Sequence, residues 1–272
     1  MSDAGGLHAG LAARHPEVRY LRDLLRDSAT RLDGNQCVAE GPRVISAALD
    51  RGAMIEAVYV ADGATRAFSN LLDRLADAGV RLELLREGVL EKIGTTRSPQ
   101  PLLGLIDLPS PVSVSDLPSN GCILVLCGVS DPGNFGTLLR SAEAAGAQGV
   151  VSCGGGVDPW NPKVIRASAG AIFGVPLVEN GDPLEVLEML SSQGVRALGT
   201  IARGGAAPDS LNLATGVALV LGNEAHGLPE EVSALLDGSV TIPMAGISES
   251  LNVGVAGSIL LFESARQRAA AE

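Results

Sequence analysis

Short apolar runs alternate with amphipathic stretches along this chain, and that alternation predicts an α/β protein. Residues 18–31 read as an amphipathic helix with Leu21, Leu24 and Leu25 on one face. Strands are predicted at 36–39, 55–60, 80–85 and 103–108. Helices are predicted between them at 42–51, where Pro42 suits the first turn, and at 67–78. The segment 108–120 holds three prolines and four serines, which suits a linker better than a helix or central strand. Beyond it, Cys122-Ile-Leu-Val-Leu-Cys127 is apolar throughout, as expected for a strand covered on both faces. Helices at 134–145, 164–173 and 183–193 then alternate with strands at 149–153, 196–201, 217–221 and 240–243, and a long helix over 250–268 ends the pattern. The reading is a flexible N-terminus (1–17), a small α/β domain (18–108), a linker (109–120) and a parallel-sheet domain (121–272).

Composition narrows this picture. Of 272 residues, 46% are hydrophobic but only 3% aromatic, so the core must be built from Leu, Val, Ile and Ala. No leader-like segment and no membrane-length apolar run is present, which predicts a cytoplasmic protein without a membrane partner. The four cysteines lack C-x-x-C spacing and the three histidines do not cluster with them, so no metal site is expected. The net charge of −11 argues against nucleic-acid binding when taken alone. Its distribution softens that argument, because 13 of the 20 basic residues lie in the first 110 positions.

Three segments carry candidate chemistry. Asp131-Pro-Gly-Asn-Phe-Gly-Thr-Leu-Leu-Arg140 joins a buried strand to a helix, where glycines and a helix N-terminus favour an anionic ligand. It lacks the G-x-G-x-x-G of a dinucleotide site, and Arg140 falls inside the helix, where facing solvent is the simpler role. Val220-Leu-Gly-Asn-Glu-Ala-His-Gly-Leu-Pro229 follows a strand whose carboxyl end is the usual ligand position of an open α/β sheet. His226 stands there among flexible residues, a setting more typical of a surface side chain than of a base. In Ile242-Pro-Met-Ala-Gly-Ile-Ser-Glu-Ser-Leu-Asn-Val-Gly-Val-Ala-Gly257, a loop runs into a helix marked at its start by Ser248 or Ser250. The early turns of that helix are small, as close packing against a neighbour requires.

In this order and at these distances the three segments resemble the motifs of the SpoU/TrmH family of RNA ribose 2'-O-methyltransferases. The matching residues are Asn134-x-Gly136-x-x-x-Arg140, Leu221-Gly-Asn-Glu224-x-x-Gly227, and Ile242-Pro-Met244 with Glu249-Ser-Leu-Asn252. Asp158 to Gly170, Val38-Ala-Glu-Gly-Pro-Arg43 and Leu90-Glu-Lys-Ile-Gly-Thr-Thr96 are also similar to the family, so the likeness runs from about residue 18 to 268. The resemblance implies a C-terminal parallel-sheet SPOUT domain with a trefoil knot, preceded by a small α/β ribosomal-protein-like domain that binds substrate. It implies S-adenosyl-L-methionine as cofactor, held by Thr200, Leu221, Gly222, Asn223, Ile242, Met244 and Leu251. Arg140, Asn134, Glu224, Ser250 and Asn252 are the implied catalytic residues, and Arg43, Lys92, Arg97, Arg140 and Arg166 the implied RNA contacts. A homodimer is implied, and ribosomal RNA, in some relatives as an antibiotic-resistance modification, is the implied acceptor. Transfer RNA methylation and a non-catalytic RNA-binding role on the same fold are the alternatives; a nucleotide-dependent dehydrogenase is disfavoured by the missing fingerprint.

Overall fold

The structure, a computed structural model, describes residues 10–95, 98–247 and 249–271. In chain order its first elements are α1 (Pro16–Arg26), α2 (Ser28–Gly34), β1 (Gln36–Glu40), α3 (Pro42–Asp50), β2 (Ile55–Ala61), α4 (Ser69–Asp77), β3 (Arg81–Leu85), α5 (Val89–Ile93) and β4 (Leu102–Asp107). There follow β5 (Cys122–Cys127), α6 (Pro132–Ala144), β6 (Gly149–Cys153), α7 (Pro162–Ala167), β7 (Leu177–Gly181), α8 (Pro183–Ser192) and β8 (Arg196–Thr200). The last are β9 (Val217–Leu221), α9 (Glu230–Ser233), β10 (Gly238–Val240) and α10 (Val253–Ala271). They form two compact units, Met1–Pro109 with Trp160–Phe173, and Ser110–Pro159 with Gly174–Glu272.

The first unit is a four-stranded sheet in the order β1-β4-β2-β3, with β4 antiparallel to both neighbours and β2 parallel to β3. Val18, Leu21, Leu24 and Leu25 of α1 pack with Val38, Tyr59, Leu103 and Leu105 of the sheet. The helix predicted over 18–31 is two helices. Asp27 leaves helical geometry, and its carboxylate accepts the Thr30 N–H at 2.9 Å to start α2. Order also begins before residue 18: Leu11 pairs with Leu85, its N–H donating to Leu84 O at 2.7 Å. The segment predicted as a helix over 164–173 stops at Ala167, because Ala169 and Gly170 take φ of 51° and 89°, and a short turn at Ala171–Phe173 completes it.

The second unit carries six parallel strands in the order β10-β8-β9-β5-β6-β7. Its central strands β5 and β9 are buried at every position, as the apolar runs predicted. The Pro/Ser-rich segment is no free linker, since Leu117 is buried in this unit's core with Val112 and Val114 packed beside it. Strand β7 and helix α5, both short, lack a periodic signal long enough to read. At the C-terminus α10 lies along α6. A side chain at Gly257 would collide with Leu138 and Leu221, so the small residues of this helix permit the contact. Ser141 and Ser258 share a hydrogen bond of 2.7 Å across the helix pair.

Candidate active site

In the second unit a cavity of about 410 Å³ opens beyond the carboxyl ends of β8 and β9, the position at which open parallel sheets hold ligands. Thr200, Ile201 and Ala202 line it from the end of β8, and Leu221 to Glu224 with Gly227 from the end of β9. Ile242, Met244 and Ser250 to Val253 close it, with Ala256 of α10. Its walls therefore bring together all seven residues singled out for cofactor contact, with Glu224, Ser250 and Asn252 beside them. Gly227 closes the second motif quoted above; Ile201, Ala202, Val253 and Ala256 carry no sequence signal of their own, being small or apolar.

The loop after β9 is shaped by Asn223. Its amide nitrogen donates to Gly128 O at 2.9 Å, at the end of β5, and its Oδ1 accepts the N–H groups of Ala225 and His226 at 2.9 and 3.1 Å. The backbones of Asn223 and Gly227 exchange two further hydrogen bonds, bringing Gly227 so close to Gly222 that a side chain at Gly222 would overlap it. His226 is exposed, and Asn223 bonds its backbone N–H.

Glu224 is the hub of the polar network. Its Oε2 accepts the Ser130 N–H at 3.1 Å and the Ser130 hydroxyl at 3.0 Å. Its Oε1 accepts the Asp131 N–H and the Asn134 amide, each at 3.0 Å. Partial burial pushes this carboxyl up, but the Asn134 amide and the backbone N–H donors outweigh it and hold the pKa down to about 2. Asp131 caps α6, its Oδ1 accepting the Asn134 N–H at 2.8 Å ahead of Pro132 at the first helical position. The Asp-Pro-x-Asn order announces that cap; nothing in the sequence announces Ser130 as a Glu224 ligand. Asn252 completes the chain, donating to Asn134 Oδ1 at 2.9 Å while its own Oδ1 accepts the Val255 N–H at 3.2 Å. The start of the last helix was placed at Ser248 or Ser250. Asn252 fills that role instead, with α10 beginning at Val253; Ser248 lies outside the described residues.

Thr200 brings a buried hydroxyl that finds no hydrogen-bond partner among the described residues, on the wall of the cavity. A buried hydroxyl left unpaired costs roughly 1–3 kcal/mol, so it is poised to bond a bound molecule. The cavity size, this hydroxyl and the mixed polar and apolar walls all suit a nucleoside-type cofactor. The structure does not bring every candidate here. Arg140 is exposed on α6, outside the cavity lining, and forms no hydrogen bond or ion pair among the described residues. Arg43, Lys92 and Arg166 belong to the first unit, and Arg97 lies outside the described residues. No cluster of metal-binding side chains occurs among the described residues, and no helix among them is long and apolar enough to cross a membrane.

Residues 121–262 match the model of the SpoU rRNA methylase family, and residues 15–104 that of the MRM3-like substrate binding domain. The 23S rRNA (guanosine(2553)-2'-O)-methyltransferase RlmP of Bacillus subtilis is 31% identical over 251 residues, 92% of this chain and 96% of that protein. The 23S rRNA (uridine(2479)-2'-O)-methyltransferase of Streptomyces viridochromogenes is 26% identical over 266 residues, covering 95% and 92%. Among solved structures, an AdoMet-bound rRNA methyltransferase from Sinorhizobium meliloti superposes with a TM-score of 0.82 at 27% identity, over 95% of this chain and 97% of that one.

Proposed function

This chain belongs to the SpoU rRNA methylase family, and we infer from that premise and from the cavity above the parallel sheet that it methylates a ribose 2'-hydroxyl of ribosomal RNA. The methyl donor is S-adenosylmethionine. The observation that carries the reading is the gathering of Thr200, Leu221, Gly222, Asn223, Ile242, Met244 and Leu251 around one cavity whose edge holds the Glu224–Asn134–Asn252 network.

S-adenosylmethionine supplies, when bound, a methyl group made electrophilic by a sulfonium centre. The chain's own residues do the rest. Gly222, Ile242 and Leu251 would hold the adenosine part through backbone groups and apolar surface, and Thr200, Leu221, Asn223 and Met244 would complete the pocket. Glu224 stays ionised at neutral pH and fixes the Asn134 amide; Asn134 and Ser250 orient the target ribose. Arg140 clamps the phosphate of the target nucleotide. A guanidinium keeps its proton in water and is too weak a base to take the hydroxyl proton, so that proton passes to the phosphate or to water. Placement of the hydroxyl in line with the methyl group is then the larger contribution.

In this reading the second unit is the knotted SPOUT form of the parallel sheet, and the first unit is the ribosomal-protein-like domain that selects the RNA. Two copies pair through α10, whose Val255, Ile259 and Phe262 are 47%, 42% and 52% exposed at helical spacing. The enzyme works in the cytoplasm, where its four free, buried cysteines stay reduced. Mapping 2'-O-methyl groups in total RNA from cells with and without the protein tests the function. A ribosomal RNA position that loses its methyl group is the expected result; unchanged maps for ribosomal RNA would overturn it.

A further inference from the structure

Glu40, the last residue of β1, is a buried carboxylate, with its side chain only 1% exposed. Three segments of the first unit converge on it. The backbone N–H of Gln100, from the loop that follows α5, donates to its Oε1 at 3.0 Å. The guanidinium of Arg166, on α7, lies 3.6 Å from its Oε2. Gly41 and Pro42 then lead directly from Glu40 into α3. Behind α7 the chain presses on α3 so closely that a side chain at Gly170 would strike Ala47. Residues Trp160–Phe173 are thus built into the first unit, although in sequence they interrupt the second.

An ion pair between a buried carboxylate and an arginine still 31% exposed gives little net stability, but it ties α7 to the end of β1. Two exposed cations stand close to the pair in sequence. Arg43 stands in the first turn of α3, three residues beyond Glu40. Lys163 stands one turn ahead of Arg166 on α7, and residues three apart share a helix face. Neither side chain forms a hydrogen bond or ion pair among the described residues. Arg166, by contrast, has its charge taken up by Glu40.

We propose that Arg43 and Lys163 form one phosphate-binding surface for the RNA backbone, assembled on the Glu40–Arg166 pair, with Arg166 supporting the surface rather than touching phosphate. The first unit's RNA face is then composite, part of it supplied by residues 160–173. The inference rests on the reading that the acceptor is RNA, and it adds Lys163, which sequence reasoning passed over.

The test is binding of an unmodified 23S ribosomal RNA transcript to the full-length protein over a series of KCl concentrations. Each phosphate contact contributes about 0.7–0.9 to the slope of log K against log salt. Arg43→Gln and Lys163→Gln should each lower the slope by about that amount and weaken binding severalfold, with S-adenosylmethionine affinity unchanged. The double variant Glu40→Gln/Arg166→Gln keeps the buried pair neutral, and its slope should stay that of the parent; a loss of one contact's worth would put Arg166 itself on phosphate. The two surface variants decide the proposal whether or not the double variant folds. A steep parental slope that neither surface variant alters overturns the surface and leaves the RNA reading standing. A flat parental slope overturns the RNA reading itself.

Discussion

The side-chain amide of Asn252 donates to Oδ1 of Asn134 at 2.9 Å, joining residues 118 positions apart in the chain. That one bond gives both amides a direction. Asn252 Oδ1 is taken by the Val255 N–H at the start of α10, so its nitrogen must face Asn134. Asn134 Oδ1 is then occupied, and its nitrogen turns to Glu224. The network is polarised from a helix terminus to a carboxylate, and every member has a fixed orientation.

Asn252 therefore does two separable jobs. Asn252→Ala removes both, and loss of the cap alone costs roughly 1 kcal/mol. Asn252→Asp keeps an acceptor for the Val255 N–H but loses the donor to Asn134. Thermal melting should show the Asp variant within a degree or two of the parent and the Ala variant several degrees lower. Methyl transfer should fall about tenfold or more in both, the size expected for losing a hydrogen bond in a charged network. Parental activity in the Asp variant would remove Asn134 orientation from the mechanism.

Much of this arrangement was legible beforehand, for particular physical reasons. The strands β5 and β9 announce themselves because burial on both faces demands unbroken apolar runs. The loop after β9 follows a strand end, where a parallel sheet puts its ligands, whereas Ile242, Met244 and Leu251 are marked only by the family resemblance. What escaped has no periodic or compositional signature. Ser130 ligates Glu224 through a contact 94 residues away in sequence, and a lone serine in a turn carries no trace of it. The segment Trp160–Phe173 reads as one more helix of the second unit, and its packing on β1 and α3, with the Glu40–Arg166 contact and the Gly170 approach to Ala47, assigns it to the first. Asp27 splits a helix that periodicity extends, because an aspartate cap competes with the helical backbone.

The pH response of the network follows from Glu224. Its carboxyl is held down to about 2 in the folded protein, against 4.5 for an unperturbed glutamate. A depressed folded value stabilises the fold in full above the unfolded pKa, and that contribution fades as pH falls from about 4.5 toward 2. Cofactor affinity measured by calorimetry should accordingly be free of any Glu224 titration from pH 5 to 8. Glu224→Gln keeps one acceptor oxygen but presents an amide to donors already placed, so methyl transfer should drop at every pH in that range. An activity step near pH 6 that vanishes in the Gln variant would contradict the low value.

Thr200 offers a test of ligand binding that spares the fold. Its hydroxyl is buried and unpaired among the described residues, so Thr200→Val removes an uncompensated polar atom and replaces it with a methyl group. Stability should hold or rise slightly, since no internal hydrogen bond is lost. Affinity for S-adenosylmethionine should fall by about 3–10-fold, the value of one net hydrogen bond of 0.5–1.5 kcal/mol. Equal affinity in the two proteins would show that the hydroxyl faces no atom of the cofactor.

The outer face of α10 offers a test of the proposed pairing. Val255, Ile259 and Phe262 make an exposed apolar stripe on a helix whose opposite side is pinned by Leu260, Leu261 and Ser264 in the core. Ile259→Glu puts a charge in the middle of that stripe without touching the core. Sedimentation should find a dimer for the parent and a monomer for the variant, with the far-ultraviolet spectrum unchanged. A monomeric parent would remove the stripe from assembly.

Replacing Arg140 tests whether chemistry and cofactor binding are separable. It is exposed, has no internal partner among the described residues, and lies outside the cavity lining, so Arg140→Ala disturbs neither the fold nor the pocket. Stability should stay within the small range typical of surface changes, about 0.5 kcal/mol in either direction. Calorimetry should return an S-adenosylmethionine affinity within about twofold of the parent, since no direct hydrogen bond is removed. Methyl transfer should nevertheless fall by about two orders of magnitude, the cost of misplacing a reacting group by an ångström. Arg140→Lys keeps the charge but not the planar fork that grips two phosphate oxygens, so its activity should fall between the two. Equal activity of the Lys variant and the parent would reduce Arg140 to a point charge, and full activity of the Ala variant would place the nucleotide clamp elsewhere on the protein.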